Sequence, residues 1–311
     1  MKKVCVFPGQ GSQSIGMGRD LYDTFAVAKA VFDEVDDALD FKLSKLIFDG
    51  TAEELTQTEN AQPALMAMSI AAWRVVSEQT GLKITDFDYA AGHSLGEYSA
   101  LCAAQALPLS DTARLLRVRG LAMKRAAKVQ KGAMAAILGL DIQKVQQVAD
   151  DSSCFVANDN SVGQVVVSGP IAAVEKACEE AKKAGAKRAI MLNVAGAFHS
   201  PLMQPAADEM KAVLADAGFE RPKIAVISNV LALPVEDPKQ IKELLYRQIT
   251  GQVRWTETVQ YLSTQGVEFA LELGAGKVLS GLIKKTAPDI ATFNIGDVAS
   301  LQEFETVRKE L

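Results

Sequence analysis

Short apolar runs recur along the chain, separated by longer stretches with a helical period. The first is Val4-Cys5-Val6-Phe7, followed by Pro8, Gly9 and Gly11 and then by an amphipathic pattern. That order predicts a buried strand, a glycine-rich loop and a helix. Runs of the same kind are Tyr89-Ala90-Ala91, Ile224 to Ile227, Phe269 to Leu273 and Ile290 to Ile295. Strands that read as continuous apolar runs are buried on both faces, so the pattern predicts a parallel sheet with helices on either side.

The middle of the chain has another rhythm. Gly132 to Gly139 predicts a strand and Ile142 to Ala149 a helix. Cys154 to Ala157 and Gln164 to Ser168 predict two strands, joined by a turn at Asn158-Asp159-Asn160-Ser161. Pro170 is placed to start a helix that ends near Gly185, and Lys187 to Val194 predicts a last strand. The order β-α-β-β-α-β is that of a ferredoxin-like unit. The expected fold is therefore α/β: a parallel-sheet large domain, residues 1–127 and 197–311, with a ferredoxin-like small domain inserted at 128–196.

Composition narrows the functional classes. Of 311 residues, 49% are apolar and 23% charged, as expected for a globular chain with a large core. Lys and Arg total 33 against 38 Asp and Glu, a net charge of −5, so a basic footprint for nucleic acid is missing. No window approaches the ~18 to 20 apolar residues of a membrane span. The first apolar run meets Pro8-Gly9 too early for a signal peptide. Four scattered cysteines without a CxxC pair are expected to be reduced, in a cytoplasmic protein. Two histidines and no cysteine pair give no expected metal site. Gly9-Gln10-Gly11 is not a dinucleotide fingerprint, because Ser14 stands at the third glycine position. Gly276-Lys277 is not a phosphate loop, because Val278 replaces Ser or Thr and Leu271 the first glycine.

Candidate chemistry begins at Gly92-His93-Ser94-Leu95-Gly96, between an apolar run and a strong helix former. A nucleophile elbow needs that context: the glycines remove Cβ atoms at a sharp strand-to-helix turn, and the helix start directs the N–H of Leu95 at a developing oxyanion. The bland alternative is a structural turn that contains a serine. A serine nucleophile needs a base. His93 is adjacent to Ser94 on the turn, where side chains diverge, which leaves His199 by elimination. Gly196 to His199 is expected at the end of a strand, with Ser200-Pro201 starting a helix. No acid can be assigned to orient His199. On the predicted helix from Ser110 to Gln130, capped by Ser110-Asp111, Arg119 has Leu115, Leu116, Ala122 and Met123 as its neighbours. A charge on an apolar face requires a partner. In a serine pocket that partner is a substrate carboxylate; the alternative is an internal ion pair with Glu97 or Asp111.

Together these residues resemble the malonyl-coenzyme A:acyl carrier protein transacylases of fatty acid synthesis and the related acyltransferase domains of polyketide synthases. The marks are Phe7 to Gln13, Gln62-Pro63-Ala64-Leu65, Gly92 to Tyr98 and Arg117 to Gly120. Further marks are Asn158 to Asn160 with Gly163 to Val166, Gly196 to Ser200, and Leu273 to Leu279. The resemblance implies a hydrolase-like α/β large domain with a ferredoxin-like insert. It implies Ser94 as the acylated nucleophile, His199 as the base and Arg119 as the holder of the malonyl carboxylate. It further implies Gln10 and the N–H of Leu95 as oxyanion hole, Gln62 among the substrate-binding residues and the backbone carbonyl of Gln248 as the orienter of His199. Phe198 and Leu95 match the malonyl-selective forms of their motifs, a bulky ring leaving little room for an α-methyl branch. The implied partners are malonyl-coenzyme A, as substrate, and acyl carrier protein; no cofactor is implied, and a monomer is compatible with the pattern. Carrier proteins are acidic as a family. Arg117, Lys124, Arg125, Lys128 and Lys131, with Lys182, Lys183, Lys187 and Arg188, are candidates for a docking rim, or else are solvated helix faces. A serine esterase or thioesterase, and a carrier-binding scaffold without chemistry, are the competing functions.

Overall fold

The computed structural model describes residues 1–308. In chain order the strands are β1 (Lys2–Phe7), β2 (Tyr89–Gly92), β3 (Gly132–Leu138), β4 (Phe155–Ser161), β5 (Gln164–Pro170) and β6 (Arg188–Met191). They continue as β7 (Ala225–Ile227), β8 (Pro234–Val235), β9 (Val253–Arg254), β10 (Val267–Leu273) and β11 (Ala291–Ile295). One sheet has the order β11-β10-β1-β2-β7-β8, parallel except for β8.

Alternation along β1 shows how this sheet is covered. Cys5 and Phe7 enter a core with the helices Ala26–Leu39, Thr58–Thr80 and Leu109–Val129. Val4 and Val6 point the other way, into a second core with Trp255–Thr264 and Val278–Thr286. All four side chains are buried, which is why the run carries no polar residue.

The second sheet has the order β6-β3-β5-β4-β9. Its first four strands are antiparallel neighbours in the ferredoxin-like arrangement. Ala135, Ile137, Val165 and Val167 pack on the helices Ile142–Ser152 and Ile171–Lys183. The intervening Met134 and Val166 face the other way and join the large core. One face of this small sheet thus closes over the end of the large one.

Three local expectations are corrected. Asn158 to Ser161 is not a turn: β4 runs through it, and β9 adds alongside at Asn158 and Asp159. Fixed partners keep these polar residues extended, since Asp159 Oδ1 accepts from Thr256 Oγ1 at 2.7 Å. The reversal falls at Val162-Gly163, with Gly163 at φ +74°. The strand predicted over Lys187 to Val194 is confined to Arg188–Met191, so His199 leaves from a loop and not from a strand end. The helix predicted from Ser110 begins at Leu109 with Pro108 at its cap, and no side chain caps it.

Candidate active site

β1 and β2 are adjacent and parallel, and Phe7 pairs with Gly92. The loops that follow them emerge together at the carboxyl end of the sheet, where open α/β sheets place their sites. Ser94 stands at φ +53°, a left-handed conformation that costs a non-glycine residue roughly 1–2 kcal/mol. A Cβ on Gly92 would come 1.9 Å from the Gly96 carbonyl oxygen, and one on Gly96 would come 2.2 Å from the Phe7 oxygen. The elbow therefore closes only with glycine at both places.

Ser94 Oγ is 2.9 Å from His199 Nε2. On the other side of the ring, His199 Nδ1 is 2.9 Å from the Gln248 carbonyl oxygen. A carbonyl only accepts, so Nδ1 carries the hydrogen and Nε2 offers its lone pair to the serine. Burial first, and the Arg119 charge second, lower the His199 pKa from its ordinary 6.5 to about 3. The ring is neutral at any ordinary pH and free to take a proton.

Arg119 is 1% exposed. Its helix lies against Thr58–Thr80 at Gly120, where a Cβ would be 2.4 Å from the Glu59 Cα. That close approach brings Arg119 to Gln62, whose Oε1 accepts from it at 2.6 Å. Arg119 also donates to Gln248 Oε1 at 2.9 Å and to Ser94 Oγ at 3.2 Å. These acceptors are neutral. The internal ion pairs do not form: Asp111 pairs with Arg114 at 3.0 Å, and Glu97 Oε2 accepts from Gln248 Nε2 at 2.7 Å. Beyond these amides and the hydroxyl, the guanidinium has the Tyr98 ring at 5.7 Å, and its Nε has no partner among the described residues. Desolvation lowers the Arg119 pKa, the expected consequence of a buried cation short of an anion.

A cavity of about 360 Å³ opens on these groups, bounded by Ser94, His199, Arg119 and Gln10 and walled by Met123, Met134, Val166 and Phe198. It brings together a hydroxyl, a neutral imidazole, a cation and an apolar wall, groups that can support acyl transfer to a serine.

The model of the acyl transferase domain matches residues 4–301. The chain belongs to this family. It is 46% identical to a malonyl CoA-acyl carrier protein transacylase of Bacillus subtilis, over all of this chain and 99% of that one. It is 42% identical to the protein of that name from Haemophilus influenzae, over 98% of this chain and 99% of that one. An acyl-carrier-protein-S-malonyltransferase structure from Bartonella henselae superposes with a TM-score of 0.95, at 49% identity and 99% coverage of both chains. A type II PKS acyl-carrier protein in complex with its malonyl-transacylase gives 0.93, at 40% identity over 97% of this chain and 98% of that one.

This acyltransferase brings Ser94, His199, Arg119, Gln10 and Phe198 to one cavity. Gln62 and Gln248 are buried behind Arg119 and do not line it. The side chain of Leu95 enters the core, and the backbone N–H groups of Leu95 and Gln10 have no protein acceptor among the described residues. Ser200 takes the N-cap position with Pro201 following it, as expected, but its side chain makes no cap bond: its Oγ donates to the Ala197 oxygen at 2.7 Å, and the element it starts is a short 3₁₀ turn, Pro201–Met203, ahead of the helix Gln204–Asp216.

His93 turns away from Ser94, as expected of adjacent side chains on a turn; its ring lies 2.8 Å from Asn160 Oδ1 and beside Trp255, so it ties the elbow to the small sheet. One group escaped the sequence reading. Asn229 reaches under the elbow, with Oδ1 accepting from the Ser94 N–H at 2.7 Å. The available signal was Ser228-Asn229, a polar pair directly after the apolar run Ile224 to Ile227, at the same sheet end as Ser94. Glu97, weighed only as an ion-pair partner, is instead held by Asn229 and Gln248, and burial raises its pKa to about 7.

Part of the basic rim is neutralised locally. Lys124 bonds Glu59 and Gln57, Arg125 pairs with Glu209, and Lys183 lies 2.8 Å from Glu180. Lys128, Lys131, Lys182, Lys187 and Arg188 are exposed. No helix among the described residues is long and apolar enough to cross a membrane, and none of these residues forms a cluster of three or more His, Cys, Asp or Glu that could hold a metal.

Proposed function

We propose that the chain transfers a malonyl group from malonyl-coenzyme A to the phosphopantetheine thiol of an acyl carrier protein, through a malonyl ester on Ser94, supplying fatty acid synthesis. Arg119 carries the reading: a buried guanidinium with only neutral acceptors, 3.2 Å from a hydroxyl that is itself 2.9 Å from a neutral imidazole. An acyl group ending in a carboxylate brings the missing anion to Arg119 and its thioester carbonyl to Ser94.

In the first half-reaction Ser94 Oγ attacks the thioester carbon while its proton passes to His199 Nε2. The N–H groups of Leu95 and Gln10 hold the tetrahedral oxyanion, the C–S bond breaks, and the coenzyme A sulfur leaves with the proton from His199. In the second, the carrier thiol gives its proton to His199 and attacks the ester; the C–O bond to Ser94 breaks and the serine recovers a proton. The two halves make a ping-pong cycle that needs substrates and no resident cofactor. The Gln248 carbonyl orients His199, Gln62 and the Gln248 amide hold Arg119, and the Phe198 ring limits branching next to the acyl carbonyl. Residues 1–127 and 197–311 would form the catalytic domain, and 128–196 the small domain that walls the cavity. The acidic carrier would meet the exposed Lys128, Lys131, Lys182, Lys187 and Arg188. The setting this chemistry implies is cytoplasmic, with no nucleic acid or membrane partner.

The test is incubation with malonyl-coenzyme A followed by peptide mapping. A malonyl group on the Ser94 peptide, absent after Ser94→Ala, and transfer to the carrier thiol faster than release to water are expected. An unlabelled serine, or hydrolysis that outruns transfer, overturns the reading; the second outcome points to a thioesterase.

A further inference from the structure

Asn229 lies 1% exposed just beyond β7. β2 and β7 pair as far as Ala91 and Ile227, after which β2 bends into the elbow. Where the ladder stops, the side-chain amide of Asn229 continues it. Its Nδ2 donates to the Gly92 carbonyl at 2.7 Å and its Oδ1 accepts from the Ser94 N–H at 2.7 Å. The residue is itself pinned, its N–H donating to Glu97 Oε2 at 3.0 Å and its carbonyl accepting from the Arg254 N–H at 3.0 Å. Glu97 Oε2 also accepts from Gln248 Nε2, so the elbow and the strand-end loop share one carboxylate with the residue whose carbonyl meets His199.

We propose that Asn229, backed by Glu97, is a positioning residue for acyl transfer: its amide stands in for a neighbouring peptide, holds Ser94 in its left-handed conformation and so aims the hydroxyl at His199. Because the Ser94 N–H is spent on Asn229, Leu95 supplies the elbow's free N–H for the oxyanion. What is being positioned rests on the transacylase reading; the clamp itself does not.

The chemistry of the clamp makes it testable. An amide donates on one side and accepts on the other, whereas a carboxylate only accepts until it is protonated. In the full chain, Asn229→Ala and Asn229→Asp are compared with the parent by two rates. One is single-turnover malonylation of Ser94. The other is labelling of Ser94 by a fluorophosphonate, which needs the nucleophile and base but no malonyl group. Asn229→Ala is expected to slow both about 100-fold, the scale of a misplaced reacting atom, with the KM for malonyl-coenzyme A nearly unchanged because Arg119 is untouched. Asn229→Asp is expected to be as slow at pH 8 and to regain at least tenfold, relative to the parent, by pH 5.5. The introduced carboxyl would occupy a side-chain position that is 1% exposed, so desolvation favours its protonation, with Glu97 adding to this only while it is ionised; Arg119 lies beyond Gln248, Tyr98 beside Arg119, and His199 stays neutral. Since Glu97 itself titrates near 7, the rise must also survive in the Glu97→Gln background.

Asn229→Ala within threefold of the parent overturns the assignment, and so does a flat ratio of Asn229→Asp to parent across that pH range. If Asn229→Ala loses its cooperative melt, the pH ratio decides alone. A parent that is never malonylated but whose fluorophosphonate labelling follows this pattern sinks the transacylase reading and leaves the clamp standing.

Discussion

Replacing Arg119 by alanine separates substrate recognition from architecture. A fork-to-carboxylate pair in a dry pocket loses about 3–5 kcal/mol when one side is removed. The resting site moderates that figure. Arg119 already donates to Gln62, Gln248 and Ser94, so a bound carboxylate replaces or shares neutral hydrogen bonds and does not meet a naked charge. A net loss of about 3 kcal/mol, roughly 100-fold, is therefore expected in kcat/KM for malonyl-coenzyme A. Acetyl-coenzyme A has no carboxylate to lose, so the ratio of the two specificity constants should collapse by nearly that factor. Arg119→Lys, which keeps the charge without the fork, should fall between. A second effect has a fixed sign. The Arg119 charge is one cause of the depressed His199 pKa, so its removal lets that pKa rise from about 3 toward 6.5 and moves the acid limb of Ser94 acylation upward. The assay is competitive kinetics with both thioesters, with acylation followed across pH. Equal losses for malonyl and acetyl would refute the reasoning, because orphaned Gln62 and Gln248 oxygens would penalise both substrates alike.

Gly96→Ala should abolish Ser94 labelling and lower Tm, because its Cβ would lie 2.2 Å from the Phe7 oxygen; a labelled, fully stable variant would contradict the packing argument. Glu272 is fully buried and accepts from Leu279 N, Ser280 N and Ser280 Oγ at 3.0, 2.7 and 2.6 Å, so Glu272→Ala should cost about 2 kcal/mol in denaturant melts while leaving transfer kinetics unchanged. Glu97 has its pKa raised to about 7, so it contributes stability present below about 4.5 and lost as pH rises through 7, whereas the lowered His93 and His199 contribute stability lost as pH falls below 6.5. Glu97→Gln removes the opposing contribution, and its stability should fall more steeply than the parent's from pH 7 to 5, by up to roughly 3 kcal/mol in paired denaturant titrations. Lys128→Glu with Lys187→Glu should raise the KM for the carrier and spare acylation by malonyl-coenzyme A; an unchanged carrier KM removes the rim.

What was legible in the sequence were features written in local period or composition. The apolar run Val4 to Phe7 announces a strand covered on both faces, and Leu115, Leu116, Ala122 and Met123 around Arg119 announce a buried cation. With two histidines, elimination reaches His199. What was not legible depends on pairing between distant segments. Asn158 to Asn160 has turn composition, yet extends because β9 and Thr256 meet it from nearly a hundred residues away. Asn229 carries no motif of its own; its role follows from β7 lying beside β2, a neighbourhood fixed by sheet order.

The relation between Arg119 and Glu97 shows why an ion-pair reading and a substrate reading looked alike in sequence. The two charges are close enough to influence one another, each entering the other's pKa as a Coulomb contribution. Between them stands the Gln248 side chain, its oxygen accepting from Arg119 at 2.9 Å and its nitrogen donating to Glu97 at 2.7 Å. An amide is the group that satisfies a cation and a carboxylate at once without letting them meet. A direct pair would neutralise Arg119 and make any incoming carboxylate compete with an internal one. With the spacer in place, Arg119 keeps its hydrogen bonds, a charge that no carboxylate among the described residues touches and its reach to Ser94. Gln248 thus meets His199 with its backbone carbonyl and separates Arg119 from Glu97 with its side chain, so on the proposed transacylase reading base orientation and acyl recognition would converge on one position of the chain.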